Sequence, residues 1–332
     1  MFGEMTAPPT RPTISAVVAA YQAEDWIGEA LDSILGQTHA PDEVVVVDDG
    51  STDGTAAVLA GYGDRIRVVR QANGGCPAAF NTAFRHATSD FVALCGADDI
   101  WEPRKLEWQL ATIVAHPEVD FLFGHAEMFG RIEEDHLRPA GRGLLDGRAF
   151  AEELFGANAV CAPSMVIRRA RFEALGPFWE DFGADDYEYW FRGLRAGAAF
   201  FYDERTLLRY RQHDSNLSAK RLWMDECLCR VRLEYERDLA DRAVVDAVLA
   251  RELFKLGRQL ADAGRAGEAR QAFRGALRHG RRGASHAANA RAAVWVGLLS
   301  LPAAVRARVE RAAVAATRAV DAATGGREAG LP

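Results

Sequence analysis

Two pairs of neighbouring aspartates each follow a run of apolar residues. Asp48-Asp49 comes directly after four consecutive valines, and Asp98-Asp99 follows the apolar run from Phe91 to Cys95. A carboxylate in the first pair can accept the imide N–H of a uracil or thymine base, a selectivity that a hydrophobic slot could not provide. The second pair suits a hard divalent cation, Mg²⁺ or Mn²⁺, held together with a substrate diphosphate. Such a cation would neutralise charge on a departing nucleoside diphosphate.

Both pairs also have a purely structural interpretation. Asp and Ser after a strand commonly form turns and cap helices, and the segment VVVVDDGSTDGT from Val44 to Thr55 contains both residue types. Two adjacent acids exceed what a cap requires, which favours a binding role for the first pair. For the second pair, a helix start before Pro103 has about the same weight as metal binding.

Short β-branched runs alternate with helical patterns from Thr13 to about Tyr210. This alternation predicts an α/β fold, with a doubly wound, mostly parallel sheet flanked by helices. The spacing of apolar residues predicts strands over residues 14–20, 43–47, 66–69 and 91–95, and helices over residues 25–35, 52–60 and 78–86. Ligands of such sheets bind beyond the carboxyl ends of the strands, which is where the acidic pairs lie.

Composition and charge limit the classes of function. Of the 332 residues, 49% are hydrophobic and 26% are charged, which is enough apolar material for a sizeable core. The net charge of −7 gives no overall electrostatic footprint for nucleic acid, so no nucleic-acid partner is expected. The five cysteines contain no CxxC pair, which indicates neither a disulfide framework nor a structural zinc site. With no recognisable signal peptide or membrane span, we expect a cytoplasmic protein.

Five motifs in a fixed order carry a resemblance to a known family. They are the segment from Ser15 to Thr55, Asn73-Gly74-Gly75, Asn81, Asp98-Asp99 followed by Pro103, and GADDYEYWFR from Gly183 to Arg192. With these motifs the chain resembles family 2 of the glycosyltransferases. The resemblance implies a GT-A fold and a divalent metal, Mg²⁺ or Mn²⁺. It also implies an inverting enzyme that moves a sugar from a nucleotide-sugar donor to an acceptor hydroxyl in a single displacement.

The resemblance implies a donor site at the start of the sheet. Asp49 matches the carboxylate that reads the base, and in this position it favours UDP or dTDP donors over GDP. Asp98 matches the metal-holding aspartate of the family and a nucleotide contact, with Asp99 beside it as a second metal ligand. The remaining donor-site positions are the base-cradling Ala19, Ala20 and Tyr21, and the pocket-lining Asn73, Gly74 and Asn81.

A catalytic base is implied as well. Asp186 matches the residue that takes the proton of the acceptor hydroxyl, on the side of the sugar opposite the diphosphate. Asp185 is the second candidate, and the alternative interpretation of both is a helix start with acids in its first turn. His213 matches a histidine that contacts metal or diphosphate, and we expect Arg211 to steady the diphosphate.

Acceptor recognition is expected from residues 155–179, within which the segment 161–169 looks like a strand. Trp179 and Trp190 are candidates for stacking on a sugar, although aromatic residues this close to a core helix more often pack in the core. By analogy with the family, the acceptor is a glycan or glycolipid of polysaccharide or cell-envelope assembly.

Two positions depart from the family pattern. Gly96 replaces the first acid of the usual Asp-x-Asp, and Gln22 replaces the usual Asn after the first strand. Loss of the first acid predicts a missing ribose or metal contact. It also leaves one alternative open, a non-catalytic nucleotide-sugar-binding scaffold in a polysaccharide assembly system. A nucleotidyltransferase and a nicotinamide dehydrogenase are less favoured, because the first strand is not followed by the glycine-rich loops that they use.

The sequence predicts three parts. They are a flexible tail over residues 1–12, a transferase domain over 13–220 with halves 13–100 and 101–220, and a helical region over 221–332. Within the helical region, Leu253 to Arg278 predicts a helical hairpin with Gly264 near its turn, which resembles one tetratricopeptide-type unit. Arginine-bearing helices over residues 294–320 leave open a peripheral contact with the inner face of a membrane. A packed helical cap is the favoured interpretation.

Overall fold

The computed structural model describes residues 11–130, 138–180, 183–216, 220–283 and 286–300. The chain divides into two compact units, the first comprising residues up to Val231 with 237–239, and the second comprising the rest. The first unit therefore extends past residue 220, where the sequence pattern placed the boundary. Most of the predicted tail over residues 1–12 and of the predicted helices over residues 294–320 lies outside the described residues.

The described strands of the first unit form one sheet. They are β1 (Ile14–Ala20), β2 (Glu43–Asp48), β3 (Arg67–Arg70), β4 (Phe91–Gly96), β5 (Ile100–Trp101), β6 (Phe121–Gly130), β7 (Gly143–Leu144), β8 (Val166–Arg168) and β9 (Phe200–Gln212). Their order is β3-β2-β1-β4-β8-β6-β9-β5, and β7 pairs with β9. The first four strands are parallel, whereas β8 lies antiparallel between β4 and β6.

Helices flank this sheet and form the second unit. Those that connect the strands are α1 (Ile27–Leu35), α2 (Thr55–Ala60), α3 (Cys76–His86), α4 (Lys105–Ala115), α5 (Gly147–Gly156), α6 (Arg169–Leu175) and α7 (Asp185–Arg195). The later helices are α8 (Arg221–Tyr235), which belongs to the first unit up to Val231, and α9 (Arg242–Asp262), α10 (Ala266–Gly283) and α11 (His286–Leu298) of the second unit. The predicted strand over residues 161–169 is shorter than expected, because a 3-10 turn at Ala162–Ser164, with Pro163 inside it, precedes β8.

The register of the parallel strands fixes where their loops emerge. Ala19 of β1 pairs with Val47 on one side and with Gly96 on the other, and Ala20 pairs with Asp48. The four valines of β2 are buried, as expected for a strand covered by helices on both faces. Because the three strands end level with one another, the loops after β1, β2 and β4 meet at one edge of the sheet.

An aromatic cluster supports α7. The Phe121 ring is fully buried and stacks on Phe200, with ring centroids 4.5 Å apart. Tyr189 and Trp190 of α7 meet Phe121 edge-on at 6.0 and 5.8 Å. Trp190 has no exposed surface and packs in the core, as expected for an aromatic residue this close to a core helix, so it cannot be the residue that stacks on a sugar.

The predicted helical hairpin is present in the second unit. Helices α9 and α10 form it, and Gly264 between them adopts a left-handed φ of +77°. Gly257 lies against the ring of Phe273, which also stacks on Trp295 of α11 at a centroid distance of 5.5 Å. Among the described helices, none is long and apolar enough to cross a membrane.

Truncation of Phe121 should destabilise the first unit. We expect Phe121→Ala to lower its free energy of unfolding by about 3–5 kcal/mol, because the change opens a cavity beneath α7. Urea unfolding followed by tryptophan fluorescence measures this loss. Val114→Ala, at an α4 position that is 61% exposed, is the control and should stay within about 0.5 kcal/mol of wild type. A loss of no more than about 0.5 kcal/mol for Phe121→Ala would show that its ring does not support α7.

Candidate active site

Asp49 holds the loop that follows β3. Its backbone N–H donates to the carbonyl oxygen of Ala20 at the end of β1 (2.8 Å). Its carboxylate, in a residue that is 2% exposed, accepts hydrogen bonds from the backbone N–H groups of Gly74 (2.9 Å) and Gly75 (2.8 Å) and from the Gln71 amide (2.7 Å). Most of its capacity as an acceptor is therefore used within the protein, and base reading by Asp49 stays a prediction.

Gln22 joins the loop after β1 to the loop after β2. It adopts a φ of +50°, unusual for a residue other than glycine. Its side-chain oxygen accepts from the backbone N–H of Thr52 (2.7 Å), and its backbone N–H donates to the Ser51 hydroxyl (3.1 Å). The longer side chain at the position of the usual Asn thus spans the two loops, and neighbouring Tyr21 is left 52% exposed at the same edge.

The second acidic pair lies over a glycine. Asp99 is 1% exposed, and its Oδ2 has no hydrogen-bond partner within the described part of the chain. A Cβ built on Gly96 would lie 2.6 Å from Asp99 Oδ2 and 2.8 Å from Asp98 Oδ1. Two carboxylate oxygens therefore converge on the space that Gly96 leaves. Burial, and then the charge of Asp98, raises the pKa of Asp99 well above its usual value.

A turn after β9 covers Asp98. His213 Nε2 lies 2.9 Å from Asp98 Oδ2, and the Asn216 amide donates to the same oxygen (3.3 Å). The imidazole also stacks on Trp26, with ring centroids 4.1 Å apart. The turn brings His213 to the acidic pair. Direct metal contact by His213 would require it to give up this bond to Asp98, and it stays a prediction.

Arg211 contacts the loop that carries Asp98 and Asp99. Its backbone N–H donates to Asp99 Oδ1 (3.0 Å), its Nε donates to the carbonyl oxygen of Asp98 (2.9 Å), and its guanidinium pairs with Glu29. The guanidinium also lies over the Phe129 ring, 4.6 Å from its centroid. These contacts orient Asp98 and Asp99, so the predicted contact between Arg211 and a diphosphate has no support in this geometry.

Asp185 and Asp186 begin α7. Asp185 is the more buried, and burial followed by the charge of Asp186 raises its pKa well above the usual value. Asp186 is half-buried and accepts from the backbone N–H of Tyr187 (2.7 Å), and burial raises its pKa to about 6. A carboxylate with this pKa is ionised at neutral pH and is more basic than an ordinary aspartate, which suits a general base.

Cys76, the first residue of α3, lies close enough to four of these acids for their charges to act on its thiol. Burial of the thiol, and then the charges of Asp185, Asp186, Asp98 and Asp49, raises its pKa well above the usual value. The residue as a whole nevertheless keeps an exposed surface. The loops after β2 and β4 and the start of α7 therefore share one crevice. Sequence reasoning missed Cys76, whose only signal was its place directly after Asn73-Gly74-Gly75.

A buried cation lies behind the acidic pair. Lys105 at the start of α4 is fully buried, with its Nζ 2.7 Å from Gln109 Oε1 and 4.1 Å from the centroid of the Trp101 ring. Burial lowers its pKa to about 7. Sequence reasoning read Lys105 only as part of a helix start, because nothing in its spacing indicates burial.

The remaining predicted residues divide into two groups. Asn81 is fully buried, and its amide bonds to the backbone of Phe178 (2.8 and 2.9 Å) and to Glu180 (3.0 Å), so it presents no free polar group to the crevice. The predicted donor contact of Asn81 therefore has no support in this geometry. Asn73 is exposed at the crevice edge, Ala19 and Ala20 end β1 there, and Trp179 is half-buried with Arg192 and Arg230 near its ring.

The chain is similar to glycosyltransferases in sequence. Residues 15–176 match the family model described as Glycosyl transferase family 2. An uncharacterized glycosyltransferase of Nostoc sp. is 41% identical over 176 residues, which cover 49% of this chain and 53% of that protein. An uncharacterized glycosyltransferase of Rickettsia felis is 30% identical over 220 residues, covering 63% of this chain and 36% of that protein. The chain thus spans about a third to a half of the length of these relatives.

Solved structures share its fold. TarS of S. aureus (residues 1-349), in complex with UDP-GlcNAc, has a TM-score of 0.65 at 19% identity, covering 86% of this chain and 90% of that chain. The mannosyltransferase PcManGT from Pyrobaculum calidifontis, in complex with GDP-Man and Mn²⁺, has a TM-score of 0.54 at 22% identity, covering 96% and 89%. The predicted α/β fold of the GT-A type, with helices after it, is confirmed.

The raised pKa of Asp186 should appear in the pH dependence of stability. In the folded chain the neutral carboxyl is favoured, so its stabilising contribution is complete below about pH 4 and is lost as the pH rises through about 6. Asp186→Asn should therefore be more stable than wild type at pH 8, by about 1–3 kcal/mol, and equal to it at pH 4. Urea unfolding between pH 4 and 8 measures the difference. The same pH-dependent gain in Asp64→Asn, at an exposed position, would show that the effect is not specific to the crevice.

Proposed function

Since this chain belongs to glycosyl transferase family 2 through residues 15–176, we propose that it transfers a sugar from a nucleotide-diphosphate sugar to an acceptor hydroxyl with inversion. The observation that carries the proposal is that Asp98, at the end of β4, and Asp186, at the start of α7, both lie close enough to the Cys76 thiol for their charges to act on it. A donor-side acidic pair and a separate base are the groups that a single displacement needs.

Asp186 is the proposed general base. Its carboxylate takes the proton of the acceptor hydroxyl as the hydroxyl oxygen forms a bond to the anomeric carbon. The bond between that carbon and the diphosphate oxygen breaks, and the electron pair leaves with the nucleoside diphosphate. Asp186 is chosen over Asp185 because it is less buried and because its pKa of about 6 leaves it ionised at neutral pH.

The residues around Gly96 fit a divalent cation. Asp99 Oδ2 is buried without a hydrogen-bond partner in the described residues, and Asp98 Oδ1 points to the same space. Hard cations prefer such oxygens and complete their shell with phosphate and water. Asp98 and Asp99 would hold the ion, and His213 is the third candidate. When bound, Mg²⁺ or Mn²⁺ supplies positive charge to the leaving diphosphate. In the described residues these three side chains, like all other His, Cys, Asp and Glu, are not arranged to hold a metal ion by themselves.

The proposed donor carries UDP or dTDP. The support is Asp49, whose carboxylate lies at the crevice edge with one lone pair of Oδ2 not used by the loop. The fold does not decide this point, because TarS is described with UDP-GlcNAc and PcManGT with GDP-Man. The proposed acceptor is a glycan or glycolipid of polysaccharide or cell-envelope assembly.

Nucleotide binding tests the donor site. We expect calorimetric titration with UDP or dTDP to give binding that strengthens with Mn²⁺. GDP should bind at least about tenfold more weakly, because the one acceptor position that the loop leaves on Asp49 suits the single imide N–H of uracil or thymine, whereas guanine presents two adjacent donors. Asp98→Ala should abolish the Mn²⁺ dependence, whereas the exposed Asp64→Asn should not change it. Absence of binding by all three nucleotides would refute the donor assignment.

Hydrolysis of the donor sugar separates an enzyme from a scaffold. With the nucleotide sugar identified by titration, we expect slow Mn²⁺-dependent hydrolysis by wild type, increasing with pH through about 6 as Asp186 ionises. Asp186→Asn should reduce kcat by about 10²- to 10⁴-fold and change the nucleotide Kd by less than about threefold. Tight nucleotide binding without any turnover, in wild type and variant alike, would favour the non-catalytic scaffold.

A further inference from the structure

Helix α8 lies along the segment that leads into Asp185 and Asp186. The six-membered ring of Trp223 touches Gly183 so closely that a Cβ built there would lie 2.0 Å from Cη2. One turn later, the Cys227 thiol lies against the backbone N–H groups of Gly183 and Ala184. Residues four apart share a helix face. Two contacts on one face thus hold α8 against the backbone just before the base.

Trp223 is nevertheless open to solvent. It is 38% exposed, the highest exposure of a tryptophan among the large hydrophobic residues that the structure describes at the surface. Lys220 Nζ lies 5.9 Å from the centroid of its ring. Gly183 is three residues from Asp186, so their Cα atoms lie within about 11 Å of each other, and the indole that touches Gly183 lies near the base. A single exposed side chain is ordinary in itself, but an indole that is fixed against the segment before the base and still open to solvent can stack on a bound sugar.

We infer that Trp223 is the stacking platform for the acceptor sugar, with Lys220 as a hydrogen-bond donor to its hydroxyls. A pyranose has an apolar C–H face and polar edges, which match an indole ring bordered by an ammonium group. Trp179, the residue expected for this role, has guanidinium groups at 5.8 and 5.7 Å from its ring and is less exposed. The inference rests on the proposed function, because it names the acceptor subsite of that reaction.

Glycine at position 183 is what permits this arrangement. Any side chain there would occupy the space of the Trp223 ring and push the indole away from the base. Gly183 therefore links the position of the Trp223 indole to the start of α7 at Asp185 and Asp186. The platform is built from positions 183 and 223, which are far apart in sequence and which the motifs did not connect.

Saturation-transfer NMR tests the platform directly. The probes are the methyl glycosides of glucose, galactose, mannose and N-acetylglucosamine. Each is added to protein whose donor site is filled with the nucleotide that binds in calorimetry. We expect at least one glycoside to receive saturation through its ring C–H protons. Trp223→Ala should weaken its affinity about tenfold, and Trp223→Phe should restore most of it. Leu233→Ala is the matched control, since Leu233 is 43% exposed on the same helix, and it should bind as wild type does.

The possible outcomes distinguish this inference from the proposed function. Absence of glycoside binding by wild type, or equal affinity in Trp223→Ala, overturns the platform. Nucleotide binding measured on the same samples shows whether the donor site is intact. If nucleotide binds and glycoside does not, the acceptor assignment fails and the transferase proposal stands. A loss in Trp223→Ala that Trp223→Phe does not restore would indicate a structural role for the residue, and it would also overturn the platform.

Discussion

Five carboxyl groups share one crevice, and the cost of holding their charges together governs how the surrounding structure is built. Burial raises the pKa values of Asp99, Asp185 and Asp186, and the charge of a neighbouring carboxylate adds to this at Asp99 and Asp185. The chain offsets part of this cost with fixed donors, the backbone N–H groups of Gly74 and Gly75 at Asp49 and the backbone N–H of Arg211 at Asp99. In the described residues Asp99 Oδ2 is left without a hydrogen-bond partner, beside Asp98 Oδ1 over Gly96, and positive charge from outside the chain would be most favourable there.

The fold around the crevice was predictable because its signals are local. Alternating β-branched runs and helical spacing located the parallel strands to within a few residues, and the level ends of β1, β2 and β4 bring the loop residues together without any further information. The carboxyl ends of parallel strands meet by geometry alone, so Asp49, Asp98 and Asp99 could be placed on one edge from sequence.

The parts that could not be predicted depend on contacts between distant positions. Asn81 and Trp190 both lie in sequence motifs. Asn81 nevertheless hydrogen-bonds to the backbone of Phe178, and Trp190 packs in the core, because burial is decided by neighbours from other elements. Lys105 and Cys76 owe their altered pKa values to the same cause. Trp223 could not be found either, since its importance depends on the absence of a side chain at Gly183, forty residues earlier.

Gly96 has a consequence for the conformation of the acidic loop. A Cβ at position 96 would lie 2.6 Å from Asp99 Oδ2 and 2.8 Å from Asp98 Oδ1, so any side chain there requires both carboxylates to turn aside. These oxygens are the ends of side chains that can rotate, so the usual aspartate could be accommodated if both carboxylates changed rotamer. In its absence, the open space at position 96 acts as a steric selector that lets Asp98 and Asp99 adopt the rotamers seen here.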